Sequence, residues 1–99
     1  MEINATGPVD QTTEGMETMK KETLEKILEY ASMPRHGTLS RNLRKDISLQ
    51  INEGKTYSNA TLFLGEEFVR ITESQEGSDI NTYYDWGKIA SIRTFAKIQ

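Results

Sequence analysis

The sequence predicts a mainly β domain with one N-terminal α-helix, its about five short antiparallel strands curled into a small barrel-like sheet. Three observations carry that expectation. The chain is 99 residues long, one domain's worth, with no room for a second domain that folds alone. Apolar residues recur at helical spacing only between residues 16 and 31, and from residue 46 onward they alternate with polar ones. Short polar or glycine-bearing stretches then separate the alternating runs at intervals that suit tight connections.

Along the chain, residues 1–15 contain Gly7, Pro8 and Gly15 among polar side chains, and read as a flexible N-terminal arm preceding a single domain over 16–99. A helix follows over 17–32. Met16, Met19, Leu24, Ile27, Leu28 and Ala31 form one apolar stripe, with Glu and Lys on the opposite face. Core packing is the plain reading of the stripe, and a partner-binding helix is the alternative. Pro34 is expected to stop the helix. Residues 35–45 form a basic connector, and strands occupy 46–96. Ile47, Leu49 and Ile51 alternate as a first strand, Asn52-Glu53-Gly54-Lys55 turns with Gly54 free to take positive φ, and Thr56 to Leu64 reads as a longer second strand. Phe68 to Thr72 makes the third strand, residues 73–79 a solvated loop, and Ile80 to Trp86 the fourth. Ile89 and Ile92 suggest a tight turn before a last short strand through Arg93, Thr94 and Phe95.

The strand region resembles the Sm-like small β-barrel over roughly residues 43–95. The alternating Ile47-Leu49-Ile51, Gly54 followed by Tyr57, Leu62 ahead of a turn, Phe68-Val69-Arg70-Ile71, Ile80 to Tyr84, and Ile89-Ala90-Ser91-Ile92 carry the likeness. It implies an N-terminal helix followed by five strongly bent strands. The RNA-contacting Asp and Asn of that family would fall near Gly65-Glu66-Glu67, and its later Arg-Gly-x-Asn turn at Asp85-Trp86-Gly87-Lys88; neither matches, so no RNA-binding residue carries over. A pleckstrin-like sheet is the rival, since its strands read the same way. It usually ends in a covering helix, and no helical pattern follows the strands through Gln99.

Charge and composition narrow the function classes. The net charge is −3, which argues against a polycation wrapped on nucleic acid. Residues 1–34 carry seven acids and three bases, whereas 35–55 carry five bases and two acids. No apolar run approaches the roughly 18 residues of a membrane span, and Met1 to Asn4 lack the features of a signal peptide, so the expectation is a cytoplasmic protein away from membranes. With no cysteine and one histidine, His36, neither a zinc site nor a nucleophile–base pair can be assembled; no metal, cofactor or enzymatic activity is expected. The Glu66-Glu67 and Glu73/Glu76 pairs sit in turn-like stretches that offer no means of separating their pKa values.

Two features stand above this background. Arg35, Arg41, Arg44 and Lys45 lie in a window without acids, either as a solvated connector or as an anion or nucleic-acid contact. In Tyr83-Tyr84-Asp85-Trp86, alternation puts Tyr84 and Trp86 on one face and Tyr83 on the other, so an aromatic ring is expected at the surface. Edges uncharged over Thr56–Leu64 and Ile80–Tyr84 point to self-association, with Asn59, Thr61, Tyr83 and Trp86 as interface candidates. The expectation is a non-enzymatic protein-binding module forming homo-oligomers with an unidentified protein partner; the alternative is a nucleic-acid-binding small barrel using the connector, with RNA not favoured.

Overall fold

The computed structural model describes residues 19–97; the expected arm over 1–15 and the first residues of the expected helix lie outside them. The chain is mainly β with one helix, α1 (Lys21–Tyr30). Eight strands follow: β1 (Ser32–Pro34), β2 (Arg41–Leu43), β3 (Ile47–Ile51), β4 (Thr56–Tyr57), β5 (Thr61–Leu64), β6 (Phe68–Gln75), β7 (Ser78–Asp85) and β8 (Ile92–Ala96). They pair into two antiparallel sheets, one of five strands in the order β1-β2-β5-β6-β7 and one of three in the order β4-β3-β8.

The helix is shorter than its periodicity suggests, and Pro34 is not what stops it. It ends at Tyr30 with Ala31 as cap, and Ser32 to Pro34 turn back as an edge strand against β2. A proline is tolerated there because an outer strand has a side without ladder bonds. The four carbonyls that a helix C-terminus leaves without intrahelical partners are all satisfied by the next two segments. Ser32 Oγ donates to the Leu28 carbonyl and the Arg44 amide to that of Ala31 (3.0 Å). Arg41 Nη2 donates to the Glu29 carbonyl (3.2 Å) and Arg44 Nε to that of Tyr30 (2.8 Å). Two cations from β2 and its flank thus stand at the negative end of the helix dipole, although the last helical turn carries no basic residue of its own.

The expected second strand divides in two. Asn59 takes a left-handed conformation (φ 56°), which asparagine tolerates, and it bends the chain from the three-stranded sheet at Tyr57 into the five-stranded sheet at Thr61. The expected loop over 73–79 is instead the end of a long hairpin. Glu76 and Gly77 both adopt positive φ (49° and 84°), the requirement of a two-residue hairpin turn, so pairing continues out to Gln75 opposite Ser78. At the turn after β3, positive φ falls on Asn52 (57°) rather than on Gly54. The Asn52 amide then ties β3 to the chain before β8: Oδ1 accepts from the Ala90 amide (2.8 Å) and Nδ2 donates to the Lys88 carbonyl (3.1 Å). The tight turn expected near Ile89 comes slightly earlier, as a 3-10 turn at Trp86–Lys88 opened by Asp85, whose Oδ1 accepts from the Gly87 amide.

Leu24 and Leu28 of α1, Leu49 and Ile51 of β3, Leu62 of β5, and Val69 and Ile71 of β6 are fully buried in one core with Tyr57 and Ile89. Met19 packs against that core, which answers the plain reading of the helix stripe. Among the described residues, no helix is long and apolar enough to cross a membrane.

Candidate functional site

Because β-strand side chains alternate, burying Leu62, Leu64, Val69 and Ile71 dictates what the opposite face of the large sheet presents. The register sets those side chains in rows. Phe63, Arg70 and Tyr83 form one row across β5, β6 and β7. Met33, Asn42, Thr61, Thr72 and Asn81 form a second across all five strands, and Ser74 and Asp79 lie beyond it. Phe68 stands on the far side of the first row.

The first row is aromatic and cationic. Phe63 and Phe68 are tilted with centroids 6.1 Å apart, and Phe68 meets Tyr83 edge-on at 5.5 Å. The Arg70 guanidinium carbon lies 5.1 Å from the centre of the Phe63 ring. Tyr83 is 57% exposed, the surface ring that alternation predicts. The second row is polar and knitted to its neighbours: Thr72 Oγ1 donates to Asn81 Oδ1 (2.6 Å) and Ser74 Oγ to Asp79 Oδ1 (2.8 Å). Over it lies a groove of about 400 Å³ bordered by Arg70, Thr61, Thr72, Asn81 and Asp79, with Arg35 reaching it from the β1–β2 loop. Arg70 Nε is buried without a hydrogen-bond partner, and no carboxylate among the described residues pairs with it.

The four cations of the connector do not form one patch. Arg41 and Arg44 hold the end of α1, Arg41 Nε also donating to Ser32 Oγ (2.8 Å). Arg35 borders the outer-face groove. Lys45 lines a different groove of about 400 Å³, between β8 and the Asn59 bend, together with Lys97 and the half-exposed Phe95. His36 sits on an exposed loop, and among the described residues no group of three His, Cys, Asp or Glu side chains is placed to hold a metal ion.

The interface candidates also separate. Asn59 is exposed at the bend. Thr61 faces outward, yet its strand is an interior one, paired with β2 at Thr61 and Leu62 and with β6 on the other side, so of the expected edge Thr56–Leu64 only β4 (Thr56–Tyr57) is an outer strand. Trp86 is 5% exposed; its indole N–H donates to the Gly65 carbonyl (2.9 Å) and Lys21 lies over its ring, so it belongs to the core beneath α1. The fourth strand does form an edge: β7 pairs with β6 alone, and Ile80 is 41% exposed.

On the inner side of the same hairpin, the Tyr57 and Tyr84 hydroxyls are 2.7 Å apart and their rings meet edge-on. Burial pushes the Tyr84 phenol far above its ordinary range, and the Tyr57 hydroxyl and the Glu73 carboxylate add to the shift. Glu73 is itself held by Lys55 Nζ at 2.7 Å.

Arg70, Phe63 and Phe68 were absent from the sequence-based candidates. The signal was there: residues that alternate with Leu62, Leu64, Val69 and Ile71 must share the face opposite the core. In comparison with known proteins, no family model matches the chain, and no curated protein or solved structure matches it.

Proposed function

We propose that the chain is a non-enzymatic interaction module that binds protein and associates with copies of itself along the open edge of β7. The observation that carries this reading is the edge itself. Eight residues, Ser78–Asp85, are paired on one side only, and none from Ile80 to Tyr84 is charged. An unprotected edge of that kind offers unpaired N–H and C=O groups to an added strand, and Tyr83 beside it supplies the aromatic contact that interface hot spots favour.

The finer fold reading, an Sm-like small barrel, draws support from strand order. β3 pairs with β4, the bent run β4–β5 leads into a meander of β5, β6 and β7, and after a 3-10 turn β8 returns to pair with β3 from Ile47–Ala96 to Ile51–Ile92. The Asn59 bend passes one run of chain between the two sheets, which suits a curled sheet. The alternative reading, nucleic-acid binding through the connector, is weakened by the engagement of Arg41 and Arg44 at the helix end.

Sedimentation equilibrium at micromolar concentration tests the proposal. The wild type is expected to exceed its monomer mass of 11.3 kDa, and Asn81→Lys with Tyr83→Lys to return it to that mass. A wild type that sediments as a monomer sinks the reading.

A further inference from the structure

The edge strand β7 turns only every second residue's backbone outward. The Trp86 amide donates to the Glu67 carbonyl (3.3 Å), so Glu67 and Trp86 form a hydrogen-bonded pair of the ladder. Hydrogen-bonded and non-hydrogen-bonded pairs alternate along antiparallel strands. Tyr84, Thr82, Ile80 and Ser78 therefore direct their N–H and C=O groups at β6. The two-residue turn at Glu76 and Gly77 agrees, since such a turn closes on a bond between its flanking residues, Gln75 and Ser78. The outward N–H and C=O groups belong to Asp79, Asn81, Tyr83 and Asp85. A strand added to this edge must set outward residues of its own against these.

We infer that the added strand is β7 of a second copy, antiparallel about a two-fold axis through Asn81; this rests on the self-association reading of the edge. Centring on Asn81 pairs the run from Ser78 to Tyr84, with Asp79 opposite the second copy's Tyr83 and Ile80 opposite its Thr82. Centring on Thr82 instead sets Asp79 against the second copy's Asp85, and like charges directly opposite are destabilising. Centring on Ile80 runs out of strand at the Glu76–Gly77 turn, and centring on Tyr83 runs into the 3-10 turn at Trp86. Asn81 thus gives the longest ladder with no acid facing an acid, and about six new hydrogen bonds, two from each of three pairs. The same register continues the Phe63, Arg70 and Tyr83 row into the second copy's Asp79. That carboxylate stands two strands from Arg70, roughly 10 Å between backbones. Among the described residues Arg70 has no carboxylate partner of its own. The two large sheets become one continuous sheet, and because each open edge is covered by its own copy the assembly closes at a dimer.

The chain has no cysteine, so introduced cysteines report the register directly. Cα atoms in a hydrogen-bonded antiparallel pair are about 5.5 Å apart, within disulfide reach. Asn81→Cys is expected to convert fully to a disulfide-linked dimer under mild oxidation. Asp79→Cys and Tyr83→Cys, each about 14 Å from its own copy along the strand, are expected to stay unlinked. The double variant Asp79→Cys with Tyr83→Cys should link, because those positions face each other. Sedimentation of the wild type separates the failures. A monomer removes the self-association reading and this inference together. A wild-type dimer of twice 11.3 kDa whose Asn81→Cys variant does not link, or links no better than the two other single variants, keeps that reading and overturns the two-fold register. Particles larger than a dimer overturn the closure.

Discussion

The root and the tip of the β6–β7 hairpin share one uninterrupted register, yet they are held by different forces. At the root, Val69 and Ile71 are fully buried and Tyr84 closes over Tyr57. At the tip, Glu73 to Gln75 face Ser78 to Ile80, all three of the latter exposed. Removing apolar area from water stabilises the root, at about 25 cal/mol per Å². The tip relies on turn geometry and on polar cross-strand pairs, each worth under about 1 kcal/mol. A continuous ladder is therefore no measure of uniform stability. The open edge of β7 runs through both halves, and its exposed ring, Tyr83, stands on the outer face of the better buried root.

The sharpest way to break this comparison is to truncate the same residue type at both ends. Ile71→Ala is expected to cost about 3–4 kcal/mol, by lost transfer and a cavity, whereas Ile80→Ala should stay within about 0.5 kcal/mol. Urea unfolding midpoints measure both, and equal losses would mean that the tip packs against something in solution.

A smaller effect is expected at the turn. Gly77 has φ of 84°, where alanine is strained, so Gly77→Ala should cost about 1 kcal/mol or somewhat more. Amide exchange should speed up from Glu73 to Ile80 while Val69 and Ile71 keep their protection. Uniform acceleration would show root and tip opening as one unit.

The smallest effect concerns the root at high pH. The Tyr84 phenol is held above its ordinary value of 10.0 in the folded state, chiefly by burial. A proton bound more tightly when folded contributes stability that is complete below the unfolded pKa and declines as pH rises above about 10. Thermal melts from pH 8 upward should show that decline in the wild type and a shallower one in Tyr84→Phe. Parallel curves would remove Tyr84 from the account.

Elements set by local pattern were legible in advance. The α1 stripe, the alternation of β3, the apolar run of β6 and the opposite fates of Tyr83 and Tyr84 each follow from spacing over a few residues. Three features were not. Arg41 and Arg44 reach helix carbonyls 12 and 14 residues earlier, which charge spacing cannot reveal. Glu76 in a left-handed turn is an uncommon choice, so the hairpin read as a loop. Asn59 broke a strand whose composition favours continuity, because the bend follows from where Tyr57 and Thr61 must pair.

By itself, then, the sequence determined a mainly β domain with one helix ahead of its strands and the faces that β3, β6 and β7 turn to the core, since periodicity and side-chain chemistry are local properties; β1 and β2, three residues each, lay hidden in the helix stop and the basic connector. Only the tertiary structure decided which strands are edges, which cations hold the helix end, and which line the outer-face groove. Those outcomes depend on pairing between residues far apart in the chain. A charge or an uncharged edge takes its role from whatever the fold brings beside it: Arg41 stands among helix carbonyls, Arg70 over an aromatic ring with one donor unpaired.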